Sequence, residues 1–177
     1  MGVNEEDSAD WALVLADDTR GLTRLFDRHE RRLLGHAGRI VAVRDDAKDA
    51  VAIALFELWR RRRAVHLVNG SPLAWLLTTV TNSALNLERS RRRYRDLLRH
   101  APMPERTEQS RLDETGVLAA LKRLPTREQH VIVLSVFEGY SERETAEALG
   151  IPAGTVKSRL ASAKARLRGE LEGLIAT

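Results

Sequence analysis

An all-α fold, with two small helical domains joined by a flexible linker and a helix-turn-helix in the second, is what this sequence predicts. Three observations predict it. Leu, Ala and Arg dominate while alternating β-branched runs are nearly absent, so helix formers outweigh strand formers along the chain. Apolar residues recur at spacings of three and four in one segment after another. Residues 100–112 (H-A-P-M-P-E-R-T-E-Q-S-R-L) carry two prolines and no periodicity, which reads as a linker between domains at 1–99 and 113–177.

The elements follow in order. Asp10 to Ala16 predicts a short apolar helix behind a polar start. Gly21 to Val43 carries Leu22, Leu25, Phe26, Leu33, Leu34, Ile40 and Val41 at helical spacing. Arg44-Asp45-Asp46 reads as a break, with Asp45 or Asp46 capping the next helix by accepting the free amide hydrogens of its first turn. That helix, Ala47 to Arg62, presents Ala50, Val51, Ala54, Leu55, Leu58 and Trp59 on one stripe. Asn69-Gly70-Ser71-Pro72 predicts a turn with Ser71 as cap and Pro72 at the first helical position. Leu73 to about Leu98 is then one long helix, apolar first and basic later. Past the linker a helix resumes at Asp113 with Val117, Leu118, Leu121 and Leu124 apolar. Pro125-Thr126 restarts a helix whose Val131, Ile132, Leu134, Val136 and Phe137 are expected in a core, and Gly139 ends it.

The last segment is the most informative. Glu142 to Leu149 is a short helical run with Thr145, Ala146 and Leu149 on one face, broken by Gly150 as the left-handed residue of a tight turn. Ile151 follows as an apolar plug, and Pro152 opens a long helix with Val156, Leu160, Ala163 and Leu167 inward. Its opposite face carries Thr155, Lys157, Ser158, Arg159, Ser162, Lys164 and Arg166. An apolar back with short hydroxyls and cations in front suits a DNA major groove, where such groups reach base edges and phosphates.

Composition agrees. The 177-residue chain has a net charge of +4 and a pI near 9.9. Its cations are clustered at Arg60–Arg63 and Arg89–Arg99, and its acids near the N-terminus and between 105 and 114. That asymmetry points to nucleic acid. With no cysteine, disulfides and thiolate metal sites are excluded, which fits a reducing cytoplasm. No apolar run approaches a membrane span, and Glu5, Glu6 and Asp7 are wrong for a signal peptide, so a soluble cytoplasmic protein without membrane insertion is expected. No Gly-rich phosphate loop, G-x-S-x-G or H-E-x-x-H occurs. His29 and His36 stand seven apart, too far for one metal on a straight helix, and Asp45, Asp46 and Asp49 read more simply as a capped helix start than as a cation site. No catalysis, cofactor or metal is expected.

These residues carry a family likeness. Leu124-Pro125, E-G-Y-S at Glu138–Ser141 and A-E-A-L-G-I-P-A-G-T-V-K-S-R-L from Ala146 to Leu160 resemble the promoter-reading end of a sigma-70 superfamily factor, in the two-domain extracytoplasmic-function group. Asp45-Asp46-Ala47, Asp49 and Trp59, then Ser71-Pro72-x-Ala74-Trp75-Leu76 and Asn82, resemble its polymerase-binding end, so the likeness spans about Asp10 to Leu171.

The resemblance implies that the C-terminal domain reads a −35 element through Thr155, Lys157, Ser158, Arg159, Ser162 and Lys164. It implies that the N-terminal domain docks on the clamp helices of the largest subunit of core RNA polymerase, a contact involving Asp49, Ala52, Ile53 and Glu57. Trp75 and Asn82 would lie near a base flipped from the melted −10 strand, and Arg89, Arg91, Arg92 and Arg93 would track its phosphates. The linker would thread towards the RNA exit path. Many such factors are held by an anti-sigma factor, which would target apolar helix faces between the domains.

The chain departs from the family pattern at Ala52 and Ile53, usually Gln-Glu, at Thr81, usually basic, and at Asn86, usually Asp. Trp75 also reads as a plain core residue, and the arginine cluster as a solvated helix end. Two other functions fit the same helix-turn-helix: a transcription regulator that does not recruit polymerase, and a degenerate sigma-like interaction protein.

Overall fold

The computed structural model describes residues 5–98 and 117–175; the linker expected at 100–112 and the helix start expected at Asp113 lie outside them. Within these residues the chain forms α1 (Glu5–Leu15), α2 (Thr19–Gly38), α3 (Arg44–Arg61), α4 (Leu73–Leu98), α5 (Val117–Arg123), α6 (Thr126–Ile132), α7 (Glu142–Leu149) and α8 (Ala153–Ile175). A 3-10 turn follows α3 at Arg62–Ala64, and a π turn extends α6 over Val133–Phe137. The described residues contain no strand, only an isolated bridge between Val68 and Ser71.

α1 begins five residues before the apolar pattern suggests. Glu5, Glu6 and Asp7 occupy its first turn, where the helix dipole favours carboxylates. Asp7 is fully buried there: it accepts from Arg28 Nη1 at 2.5 Å and His29 Nε2 at 2.8 Å, and from the Ser71 hydroxyl. Burial alone would raise this carboxyl, but those bonds hold it below its usual range. Asp18 caps α2 by accepting from the Arg20 amide at 2.9 Å.

The cap expected before α3 is different. Its N-cap residue is Val43, which has no side-chain acceptor, and α3 starts at Arg44. Asp45 and Asp46 therefore sit inside the first turn, favoured by the dipole rather than by capping. Asp46 is buried and accepts from Arg91 Nη2 of α4 at 2.7 Å, tying the two helices. Ser71 caps α4 as its position suggests, accepting from the Leu73 amide at 3.2 Å. The turn before it holds Asn69 at φ 50° and Gly70 at φ 77°.

Leu25, Leu33, Val51, Leu58, Leu76, Leu77 and Val80 build one core from α2, α3 and α4, with Trp11 and Val14 of α1 closing one side. Leu134, Tyr140 and Ala148 from the C-terminal helices join this core. A second core gathers Leu121, Leu124, Val131, Ile132, Val133, Val156, Leu160 and Ala163. Val136 and Phe137, expected inside, are 51% and 38% exposed. The π turn accounts for the difference, because its wider spacing rotates the register: Val133 takes the buried place and the last two apolar residues turn outward.

Gly21 marks the tightest helix contact. A Cβ there would strike the Asp10 carbonyl oxygen and stand 2.8 Å from Leu13 Cβ. Gly21→Ala is expected to destabilise the protein by about 1–3 kcal/mol, because backbone cannot yield as a side chain can. Urea titration reads this directly, and an unchanged midpoint would deny the close approach.

Candidate nucleic-acid interface

The helix-turn-helix is specified locally. Ser141 and Glu144 form a reciprocal capping box: the Glu144 amide donates to Ser141 Oγ at 3.2 Å, and the Ser141 amide to Glu144 Oε2 at 2.9 Å. Gly150 closes α7 in the left-handed conformation at φ 62°, and the Ile151 amide returns to the Ala146 carbonyl at 3.1 Å. Val156, Leu160 and Ala163 bury the back of α8 in the second core.

This leaves Lys157, Ser158 and Lys164 exposed, with Thr155 and Arg159 half-buried. Ser158 donates to the Thr155 carbonyl at 3.0 Å, an intrahelical bond that a base edge can replace. Ser162 is turned towards α6, donating to Glu128 Oε1 at 3.1 Å, and Arg166 stands 3.2 Å from the same carboxylate. Lys157 and Lys164 thus face solvent, while Ser162 and Arg166 are clamped to α6.

The second basic surface is the outer half of α4. Arg89, Arg91, Arg92 and Arg93 are exposed, although the Arg91 guanidinium is bound to Asp46. Trp75 is half-buried and packs on the first core, so it is a packing residue as well as a flat edge near the surface. Its carbonyl accepts from Thr78 and Thr79 at 2.8 and 2.9 Å. Asn82 is half-buried, and its Oδ1 accepts from His130 Nε2 of α6 at 2.9 Å. Burial, then the nearby Arg159 charge, lower the His130 pKa, which keeps that ring neutral. Thr81 beside it is fully buried and bonded to His36 Nε2 at 2.8 Å, so the position the family usually makes basic faces inward here.

The third surface lies on α3. Asp49, Ala52 and Ile53 are exposed, and Glu57 is half-buried between Arg60 and Arg61, each 2.8 Å away. The Arg60 hydrogen bond holds the Glu57 carboxyl below its usual range. Sequence reading missed Phe56, which is 65% exposed on the same face. The signal was present: Phe56 falls outside the stripe of α3 and lies three residues from Ile53 and four from Ala52.

Glu138 anchors the C-terminal helices to α2. Its carboxylate, 6% exposed, accepts from Arg32 Nε at 2.9 Å and lies 3.0 Å from His36 Nδ1. Burial would raise this carboxyl, but His36 and Arg32 hold it below its usual range. Asp7 and Glu138 therefore stabilise the folded chain above the ordinary carboxylate range, and their contribution is lost as pH falls through their lowered values. Thermal melts are expected to be flat from neutrality to about pH 5 and to drop steeply below about pH 4. A Tm unchanged down to pH 3 would contradict the pairing of both groups.

Among the described residues no helix is long and apolar enough to cross a membrane, and no cluster of His, Asp or Glu is arranged to hold a metal ion.

Residues 25–94 match the family Sigma-70 region 2, and residues 115–167 match Sigma-70, region 4. The chain is 34% identical over 160 residues to the ECF RNA polymerase sigma factor SigM of Mycobacterium tuberculosis, covering 88% of this chain and 80% of that one. It is 36% identical over 142 residues to the RNA polymerase sigma-E factor of Streptomyces coelicolor, covering 78% and 79%. Among solved structures it resembles CnrH in complex with the cytosolic domain of CnrY, with a TM-score of 0.60 at 25% identity over 95% of this chain and 98% of that one.

Proposed function

The chain belongs to the sigma-70 family of RNA polymerase sigma factors, in its extracytoplasmic-function group, and we propose on that premise how its surfaces divide the work. It is an alternative sigma factor, a dissociable subunit that binds core RNA polymerase and directs promoter-specific initiation, and it performs no reaction of its own. It acts in the cytoplasm, where the polymerase is.

Residues 1–99 form the domain that binds core polymerase and captures the −10 element, 100–112 the tether, and 113–177 the domain that reads the −35 element. Asp49, Ala52, Ile53 and Glu57 meet the clamp helices of the largest subunit. Trp75 and Asn82 receive the flipped −10 base, and Arg89, Arg91, Arg92 and Arg93 follow the adjacent phosphates. Thr155, Lys157, Ser158, Arg159 and Lys164 face the −35 duplex, and Ser162 joins them only by giving up its bond to Glu128. The tether makes the second contact effectively intramolecular, so neither element needs tight binding alone.

The observation that carries this reading is the glycine-closed turn that seats α8, with an apolar back in the second core and Lys157, Ser158 and Lys164 in solvent. Run-off transcription with purified core polymerase on a genomic fragment library tests it. Discrete new start sites sharing two upstream elements support it. Sequence-selective DNA binding without transcripts would move the chain to a regulator or a degenerate sigma-like protein. Lys157→Ala is expected to weaken −35 duplex binding roughly tenfold, the loss of one good base or phosphate contact. Asn82→Ala is expected to slow promoter opening more than it weakens the closed complex, and equal effects of both on closed-complex affinity would overturn the division.

An anti-sigma factor fits the same reading. A sigma factor of Bartonella quintana resembling this chain at a TM-score of 0.51 was solved with the anti-sigma factor NepR. Here the surface for such a partner is a cleft of about 440 Å³ lined by Ile40, Leu121, Val133, Val136 and Phe137, together with His36 and Arg39.

A further inference from the structure

Glu128 lies in the first turn of α6 with 3% of its surface exposed, and each of its carboxylate oxygens faces α8. Oε1 accepts from the Ser162 hydroxyl at 3.1 Å. Oε2 is buried without a hydrogen bond, and the Arg166 guanidinium, 3.2 Å away, is its one ion-pair partner among the described residues. One turn further on, Glu170 pairs with Arg123 of α5. Ser162, Arg166 and Glu170 stand four residues apart, so they form one stripe along α8. That stripe is committed to α5 and α6. Lys157 and Lys164, on the opposite flank of the helix, are exposed and pair with no acid among the described residues.

We propose that Glu128 is a positioning residue for duplex recognition: it withdraws Ser162 and Arg166 from the groove, so that the −35 element is read by the first two turns of α8 and by the flank of Lys157 and Lys164. This rests on the −35 reading of α8 given under Proposed function. The commitment is set by burial. If Arg166 swung out to a phosphate, Glu128 would be left as an uncompensated charge in a site closed to water. A duplex that drew Arg166 onto its backbone would have to supply that cost, and Ser162 could turn to a base only by giving up a bond to the same carboxylate. A cation already neutralised by a carboxylate also releases no counterion from DNA, so Arg166 adds nothing to the salt-dependent part of binding. Thr155, Lys157, Ser158 and Arg159 then carry the base contacts, and Lys164 meets a phosphate further along.

The test uses the full-length factor assembled with core polymerase. The probe is a duplex that this holoenzyme enriches from a pool randomised upstream of the start site. Its affinity is followed from about 50 to 200 mM salt, where the slope of log affinity against log salt counts phosphate contacts. Arg166→Gln in the parent factor is expected to leave that slope unchanged. Glu128→Gln keeps the shape of the side chain and its acceptor for Ser162, and is expected to steepen the slope by about one unit as the freed Arg166 gains a phosphate. Its gain in affinity is then roughly threefold larger at the low-salt end than at the high-salt end. Adding Arg166→Gln to Glu128→Gln is expected to restore the parent slope. A purely structural role for Glu128 would weaken binding without steepening the slope, and the second substitution would reverse nothing. Thermal melts of each variant confirm that the fold persists.

A slope flattened by Arg166→Gln in the parent overturns the proposal, because Arg166 would already be on the DNA; this arm keeps Glu128 in place and does not depend on how well its substitution folds. An unchanged slope in a folded Glu128→Gln factor overturns it too. Lys157→Ala separates the two readings. If it leaves the affinity untouched, the −35 reading of α8 fails and the role of Glu128 falls with it. If it weakens binding as expected, either of the first two results strikes Glu128 alone.

Discussion

Asp7→Ala is expected to cost about 3–5 kcal/mol, the penalty of breaking a buried ion pair from one side. Asp7 is fully buried yet lies in the first turn of α1, within the acidic stretch near the N-terminus. It is bonded to Arg28, His29 and Ser71, groups from α2 and from the turn before α4. Removing the carboxylate leaves the half-buried Arg28 with Asp10 and Glu6 alone, and His29 with no acid beside it. α1 would lose its most buried polar tie to the bundle, leaving Trp11, Val14 and the Asp10 and Glu6 pairs to hold it. Asp7→Asn keeps the shape and part of the bonding, so it should cost less than the alanine variant. Denaturant unfolding at pH 7 measures both; a loss under about 1 kcal/mol for Asp7→Ala would show that α1 is held by apolar contact alone.

Phe56→Ala is expected to weaken core polymerase binding by roughly 30-fold or more, the effect of losing an interface anchor worth about 2 kcal/mol. Phe56 is 65% exposed, Ile53 beside it 42%, and Ala52 completes the patch. The family usually offers a polar pair where Ala52 and Ile53 stand, so on the proposed docking reading this chain would offer apolar area in place of hydrogen bonds. Burying most of a phenylalanine side chain against the clamp supplies about 1.5–3 kcal/mol. The folded state should be nearly indifferent, because the ring lies largely in solvent and outside both cores. Titrating labelled factor with core polymerase gives the affinity, and the thermal midpoint serves as the control. An affinity within twofold of the parent would remove α3's outer face from the docking surface. Ile53→Glu, which restores one polar side chain of the family pattern, then tells whether the apolar replacement strengthened or weakened the contact.

Much of the fold was legible because helices announce themselves locally. Leu73–Leu98 and Glu142–Leu149 were readable to within a residue or so, since Ser71 and Pro72 mark one start and Gly150 an end. The apolar back of α8 followed from periodicity alone. Illegible were the features that depend on a partner distant in sequence. The register of Val133–Phe137 rests on a π turn, which no spacing rule anticipates. Ser162 and Arg166 look like groove-facing residues on a helical wheel, yet Glu128 of α6 claims them. His36 and His29 looked like scattered surface residues or packing, but each is the buried partner of an acid more than twenty residues away.

By itself, then, the sequence determined the helices, most of their turns, and the apolar back and cationic front of α8, because each of these is written in residues within a turn or two of one another. Only the tertiary structure decided which charges are buried, that Asn82 is met by His130, and that Glu138 locks the C-terminal helices to α2. The physical reason is range. A capping bond or an apolar stripe needs only neighbours on one helix, whereas a buried ion pair gains its strength from a low-dielectric site that exists only once distant helices have packed around it.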